Sequence, residues 1–402
     1  MVRNPISLLF FTNTVDRGGA EEHILTLLRG LDRHHFRICL VCPLQLADQL
    51  RSDVPADVEL VPLDFFKPTR LAAALRFSRI IRARRVDILH SHMFCSSLAA
   101  SPVGWFCRVP VIIETPHVRE SWRKGWFKSR FFVDRLVGRF VDHYVAVSAA
   151  NGAHLAETKG LPKRKIVVIR NGSDLSRFAP AGTVDSDPKL GRMRRDLGFK
   201  PDDLVLIVAA RLEPQKGHRV LMEAMPLILR NFPTVRLVCV GDGRLRSELE
   251  RQKSELGLED SVRLVGFQPD VAAWLSMGDI TVLPSFYEGL PLVAIESLAV
   301  GRPVVATAVD GTPEVILAGR TGFTVPPGDA PSLAEAIGRL LRDPDLRRSF
   351  GRAGRSFVLE HFTQERQIAQ TQQLYFDALR QRKARPFPVE GAVKSGAAGS
   401  AG

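Results

Sequence analysis

Residues 285–305 read SFYEGLPLVAIESLAVGRPVV. Just before them lies DITVLPS, a short apolar run that Pro284 helps to end, so the chain reads as a strand, then a turn, then a helix LVAIESLAV. Gly289 lets the backbone turn or approach a ligand closely, and Pro291 suits the first turn of a helix, where its missing N–H costs nothing. A helix leaving the carboxyl end of a strand points its free N–H groups, near Gly289 and Leu290, out of the sheet, where they favour an anion. Glu288 stands just before this helix and Glu296 about five residues into it, roughly 7.5 Å up the axis. Either Glu296 is a stray acid on a buried helix, or the two carboxylates flank a phosphate and accept hydrogen bonds from ligand hydroxyls.

Outward from this stretch the same alternation recurs. The apolar runs ISLLFF, FRICLV, VELVPL, VDILH, PVIIE, HYVAV and KIVVI are separated by amphipathic segments such as AEEHILTLLRGL. After a Pro-, Ser- and Asp-rich break, SDLSRFAPAGTVDSDPK, the pattern restarts with DLVLIVA, TVRLVCV, SVRLVGF, DITVLPS, RPVVAT and TGFTV. Repeated strand–helix alternation implies parallel sheets with helices on both faces. The expected class is α/β, with two doubly wound, Rossmann-like domains facing each other across a cleft. Residues 1–175 form the first domain and 190–362 the second. A helix over 363–384 is expected to return to the first domain, and 385–402 reads as a disordered tail, having little to bury. Ligands of such sheets sit beyond the carboxyl ends of the strands, so the cleft is the expected site.

The 402 residues carry a net charge of +13. Residues 1–175 hold 26 Lys and Arg against 16 Asp and Glu, while 176–402 hold 30 against 27. A basic first half suggests an anionic partner. No run of about 18 apolar residues exists, which argues against a membrane span. The opening ISLLFF is too short for a signal segment, so a cytoplasmic protein is expected, with peripheral contact to the inner membrane face as an option. Five cysteines do not suggest a disulfide framework. Cys39 and Cys42 form a CxxC, but on a strand they point to opposite faces, and they read as core residues.

Arg211 and Lys216 lie on ARLEPQKGHRV, which leaves its strand at the same carboxyl edge as Glu288. RLEPQKG, VGDGRLRSELE, VRLVGF, the quoted stretch and DGTPEVI together resemble the C-terminal domain of retaining glycosyltransferases of family GT4, which have the GT-B fold. Glu288 and Glu296, with seven residues between them, match the E-x7-E motif of that family. RGGAEEHILTLL, DILHSHMF, ETPH and NGSDLSRFAP extend the resemblance into the first half, so that it covers roughly residues 5–380.

The resemblance implies a nucleotide-diphosphate sugar as donor, with UDP the carrier most common in the family, and transfer to a glycan or lipid-linked acceptor. It implies that Arg211 and Lys216 neutralise the diphosphate, Glu296 holds the ribose and Glu288 binds the transferred sugar. The N–H groups of Gly289 and Leu290 would meet phosphate, and the backbone near Gly266 and Phe267 the base. Gly18 and Gly19 open a helix facing the cleft from the other domain, and His117 matches a family histidine near the reacting sugar. No catalytic metal or other cofactor is expected, since no DxD closes an apolar strand. A metal site at His90 and His92, near His117, is the weaker reading. The segment RESWRKGWFKSRFFVDRLVGRF, residues 119–140, has seven basic and two acidic residues among its aromatics. It suggests either a plain surface helix or a face resting on anionic membrane. No nucleic-acid module supports the third use of that charge. The rival functions are a nucleotide-sugar 2-epimerase and a non-catalytic scaffold.

Overall fold

Every apolar run named above is a strand. The computed structural model describes residues 5–65, 70–117, 131–180 and 187–384. The basic segment over 119–140 lies outside the described residues as far as 130, and so does the tail from 385. The first seven strands are β1 (Ile6–Thr12), β2 (Phe36–Cys42), β3 (Glu59–Pro62), β4 (Ile88–His92), β5 (Val111–Thr115), β6 (His143–Ala146) and β7 (Ile166–Val168). They form one parallel sheet in the order β3-β2-β1-β4-β5-β6-β7. The next six are β8 (Leu204–Ala209), β9 (Val235–Val240), β10 (Val262–Gly266), β11 (Ile280–Leu283), β12 (Val304–Thr307) and β13 (Gly322–Val325). Their order is β10-β9-β8-β11-β12-β13, again parallel.

Strand period 2 explains why each sheet is buried on both faces. Along β1, Leu8 and Phe10 belong to one apolar cluster while Leu9 and Phe11 belong to another on the opposite side. Cys42 and Cys39 divide in the same way, and burial pushes both thiols up to about 12. These are inert core cysteines. The second sheet has its own pair of clusters, one packed under helix His218–Leu229 and the other under helix Leu292–Ala299.

The strand order reverses direction between β1 and β4 in the first sheet and between β8 and β11 in the second. At such a switch point the two flanking helices leave on opposite faces and open a crevice beyond the strand ends. The chain crosses between domains twice, and the crossings are tied together. Ser173 N–H donates to Phe362 O at 3.0 Å and Gln364 N–H to Ser173 O at 3.1 Å. The final helix, Gln364–Ala384, then lies against helix Gly19–Gly30 of the first domain. Tyr375 of the final helix is buried, its hydroxyl 2.6 Å from His90 Nδ1. Among the described residues no helix is long and apolar enough to cross a membrane.

Candidate active site at the facing switch points

At the end of β11 the backbone passes Pro284 and Ser285 before Glu288. Helix Leu292–Ala299 starts one residue later than Pro291, which is its N-cap rather than its first turn. Glu288 is 7% exposed and its charge is compensated locally: Lys216 Nζ donates to Oε1 at 2.7 Å, and Ser285 Oγ donates to the same oxygen at 2.7 Å. The Glu288 N–H donates to Asp310 Oδ2 at 2.9 Å, which fixes the turn. Lys216 ends a one-turn 3-10 helix, Pro214–Lys216, and Gly217 follows at φ 68°, the left-handed region. A Cβ on Gly217 would stand 1.9 Å from Pro284 O, so only glycine lets the Lys216 loop lie on the Glu288 loop.

Glu296 lies one and a half turns along the helix. Ser173 Oγ donates to its Oε1 at 3.3 Å, across the domain junction. Burial pushes the Glu296 carboxyl up to about 7, against the pull of Ser173 and Arg177. A carboxylate poised there takes a full charge most readily when ligand hydroxyls replace the water it has lost.

The first domain meets this edge directly. The carbonyl of His117, just past β5, approaches Gly289 so closely that a Cβ on Gly289 would lie 2.0 Å from it. Helix Gly19–Gly30 opens at Gly18, an extended N-cap without a side-chain cap. Its Glu21 is 3% exposed and accepts from Thr14 Oγ1 at 2.5 Å. Burial raises the Glu21 carboxyl, and the Arg211 guanidinium of the other domain lowers it in part. Arg211 and Gly19 are solvent-exposed at the cleft edge, and Phe267, at the end of β10, is 77% exposed. Gly266, at φ 74°, accepts from the Gly241 N–H at 2.8 Å. Leu290 is buried behind Gly289.

The floor on the first-domain side is a group of histidines. His92 Nδ1 and His117 Nε2 are 3.0 Å apart. The third member is His23, on helix Gly19–Gly30, and not His90. His90 lies beside His92 but spends Nδ1 on Tyr375 and Nε2 on Thr115 at 2.7 Å. That corrects the pairing of His90 with His92 as joint ligands: alternate residues of β4 share a face, but the final helix claims one of the rings. Burial lowers all four imidazoles, His23 to about 4. At neutral pH His117 therefore offers hydrogen bonds and not a positive charge.

His23, Glu21 and Asp310 were not read from the sequence as site residues. The only signal for His23 is a polar side chain within the apolar stripe of its helix, beside buried Ile24 and Leu27. Glu314 is a fourth. It accepts from the Ala150 N–H at 3.1 Å and from Arg170 Nε at 2.8 Å, joining the domains beside the cleft.

Residues 191–357 match the family of glycosyl transferases group 1, and residues 17–177 match glycosyltransferase family 4. The chain is 31% identical over 342 residues to D-inositol 3-phosphate glycosyltransferase of Thermobispora bispora, covering 79% of this chain and 77% of that one.

This chain is a member of the GT4 glycosyltransferase family.

N-acetyl-alpha-D-glucosaminyl L-malate synthase of Bacillus anthracis is 28% identical over 79% of this chain and 82% of its own. Among solved structures, Anabaena Alr3699/HepE in complex with UDP superposes with a TM-score of 0.80 at 20% identity, covering 92% of this chain and 100% of that one. The two doubly wound domains are thus the GT-B fold. The E-x7-E acids of this GT4 glycosyltransferase stand on one strand–turn–helix unit at the switch point of the second sheet.

Proposed function

We propose that this chain is a retaining glycosyltransferase that moves a sugar from a nucleotide-diphosphate sugar, with UDP as carrier, to a lipid-linked or polysaccharide-precursor acceptor. The observation that carries this is the Lys216–Glu288 pair beside the N-terminus of helix Leu292–Ala299, facing His117 across the cleft. The sugar C1–oxygen bond to the diphosphate breaks, and negative charge grows on the departing oxygen. In this reading Lys216, Arg211 and the helix N–H groups stabilise that charge by electrostatic preorganisation. The acceptor oxygen bonds C1 on the face the phosphate leaves, and its proton passes to the leaving phosphate, so no separate base is needed. Glu288 would position the transferred sugar and Glu296 the ribose. One structural neighbour, solved both with UDP and with UDP-glucose, supports the choice of carrier.

The test is a screen of nucleotide sugars against lipid-linked acceptors in excess EDTA, with the product anomer read by NMR. We expect transfer with the configuration of the donor kept. A product of inverted configuration would overturn the retaining reading, and activity that EDTA abolishes and magnesium restores would overturn the Lys216 and Arg211 roles. An epimer formed from donor alone would favour the epimerase.

The proposed acceptor calls for an anionic membrane surface, and exposed apolar side chains on the first domain support one. Leu71 and Leu75 lie on helix Arg70–Ala83, Trp105 and Phe106 on helix Phe94–Phe106, and Phe132 and Leu136 on helix Phe132–Val137. The middle helix packs against the other two. Exposed Arg76, Arg79, Arg82, Arg108 and Arg135 surround them, and the single acid of the three helices, Asp134, is buried against Lys159 at 3.0 Å. Each cation near an anionic surface is worth about 1 kcal/mol. Sedimentation with phosphatidylserine vesicles should therefore be strong at low salt and fade by 1 M, where the Debye length is about 3 Å. A Trp105→Ser, Phe106→Ser double variant that sediments like wild type would overturn this surface.

A further inference from the structure

We propose that His23, His92 and His117 form a zinc site on the floor of the cleft, and that its occupancy blocks seating of the donor sugar. The blocking half rests on the glycosyltransferase reading above; the site itself does not.

One ring nitrogen from each of the three imidazoles lies within 4.8 Å of the other two. The rings come from three separate elements, the first-domain helix Gly19–Gly30, the end of β4 and the residues after β5, so the fold itself gathers them. All three are at least nineteen-twentieths buried, and Nε2 of His23 and Nε2 of His92 have no hydrogen-bond partner among the described residues. A buried ring nitrogen without a partner loses its hydration and gains nothing in return, and here two of them sit in one group. A metal that takes the Nε2 lone pair of His23 beside Nδ1 of His92 and Nε2 of His117 removes the first of these costs.

The donors select the ligand. Neutral imidazole nitrogens suit zinc and its neighbours rather than magnesium or calcium, which prefer oxygen. Zinc–nitrogen bonds of 2.0–2.1 Å place ligand atoms about 3.3 Å apart in a tetrahedron. The 3.0 Å between His92 Nδ1 and His117 Nε2 is already close to that, and the widest separation in the group, within 4.8 Å, has at most about 1.5 Å to close. An outer contact of the usual kind is present too. Asn171 Oδ1 lies 2.8 Å from His23 Nδ1, placed to accept its proton. With the proton on Nδ1 and held by Asn171, Nε2 presents its lone pair inward. An oxygen acceptor of this kind fixes the tautomer of a metal-bound histidine. Three imidazoles leave a fourth position, as in sites that exchange a ligand. His117 carries that position to the cleft, because its carbonyl already touches Gly289.

The metal-free full-length chain is titrated with zinc against a chromogenic chelator. One equivalent should bind, and His23→Gln and His92→Gln should each bind at least tenfold more weakly, with thermal melts showing that they fold. Cobalt should give the visible bands of a tetrahedral nitrogen site without a thiolate charge-transfer band. Exposed Cys95 is then not a ligand, and Cys95→Ser should bind as wild type. Calorimetry with a UDP-sugar should show at least tenfold weaker binding to the zinc-loaded chain, reversed by EDTA. Absence of stoichiometric zinc binding, or His→Gln variants that bind as wild type, overturns the site, and if those variants do not fold, a cobalt spectrum without tetrahedral bands does so alone. Equal UDP-sugar binding with and without zinc overturns the blocking. A chain that binds zinc through these rings but no nucleotide sugar in either state refutes the donor reading and leaves the site standing.

Discussion

Replacing Lys216 by alanine should lower kcat/KM by about two to three orders of magnitude and also lower the melting temperature. Two separate losses combine. In the proposed reaction the ammonium is one of the cations aimed at the departing diphosphate, and removing one preorganised donor to a developing oxyanion costs about 10²–10³ in rate. The same ammonium is the partner of Glu288, 2.7 Å away, and Glu288 is 7% exposed. Breaking a buried pair on one side costs about 3–5 kcal/mol. Lys216 itself is 21% exposed, so water can reach the orphaned acid and the lower end applies. Adding Glu288→Gln to Lys216→Ala should recover much of the melting temperature, because the uncompensated charge is gone, but none of the rate. Kinetics with saturating acceptor and a thermal melt of the three proteins measure both halves. Turnover of Lys216→Ala within tenfold of wild type would remove Lys216 from the diphosphate site.

Gly289→Ala should reduce turnover at least a hundredfold while each domain stays folded. The added methyl would stand 2.0 Å from the His117 carbonyl oxygen, 3.2 Å from its carbon and 3.3 Å from Val147 Cγ2. Two of these three atoms are backbone, so no side chain can swing aside and the two loops must part. They belong to different domains, and the proposed reacting groups lie on both sides of the contact. Displacement of about 1 Å at such a point can cost 10² in rate. Gly338→Ala is the control. It lies inside helix Ala330–Arg342, and its new methyl would meet Phe232 at an ordinary 3.5 Å. It should leave turnover unchanged and stabilise by about 0.8–1 kcal/mol through helix propensity. Circular dichroism and small-angle scattering separate the cases: an opened outline with intact secondary structure is the Gly289→Ala expectation, and wild-type turnover would show that the loops yield.

The strands were legible because each buried strand is a short apolar run between turn residues, and thirteen such runs became thirteen strands. Pro291 differed by one residue because cap and first-turn positions are told apart by dihedral angles, not residue type. The acids Glu288 and Glu296 and the cations Arg211 and Lys216 were legible as residues on strand-end loops or the helix that follows. His23 was not legible as a member of the histidine group. A single polar residue on a helix is ordinarily solvated, and the chain offers no local sign that its helix lays this face on the ends of β4 and β5.

The sequence alone therefore determined the order and type of the elements, the two-domain division and the acids and cations at one strand edge, since all of these follow from local period, turn chemistry and spacing. The tertiary structure alone decided what faces what across long separations. It set His23 beside Asn171 and Gln367, Ser173 on Glu296, Glu314 on Arg170, and Gly289 against His117. The final helix returned to the first domain and took His90 for Tyr375, leaving His92 to His117. Such pairings depend on the angle at which two folded sheets meet, and that angle is set by packing summed over the whole junction, which no short stretch of sequence carries.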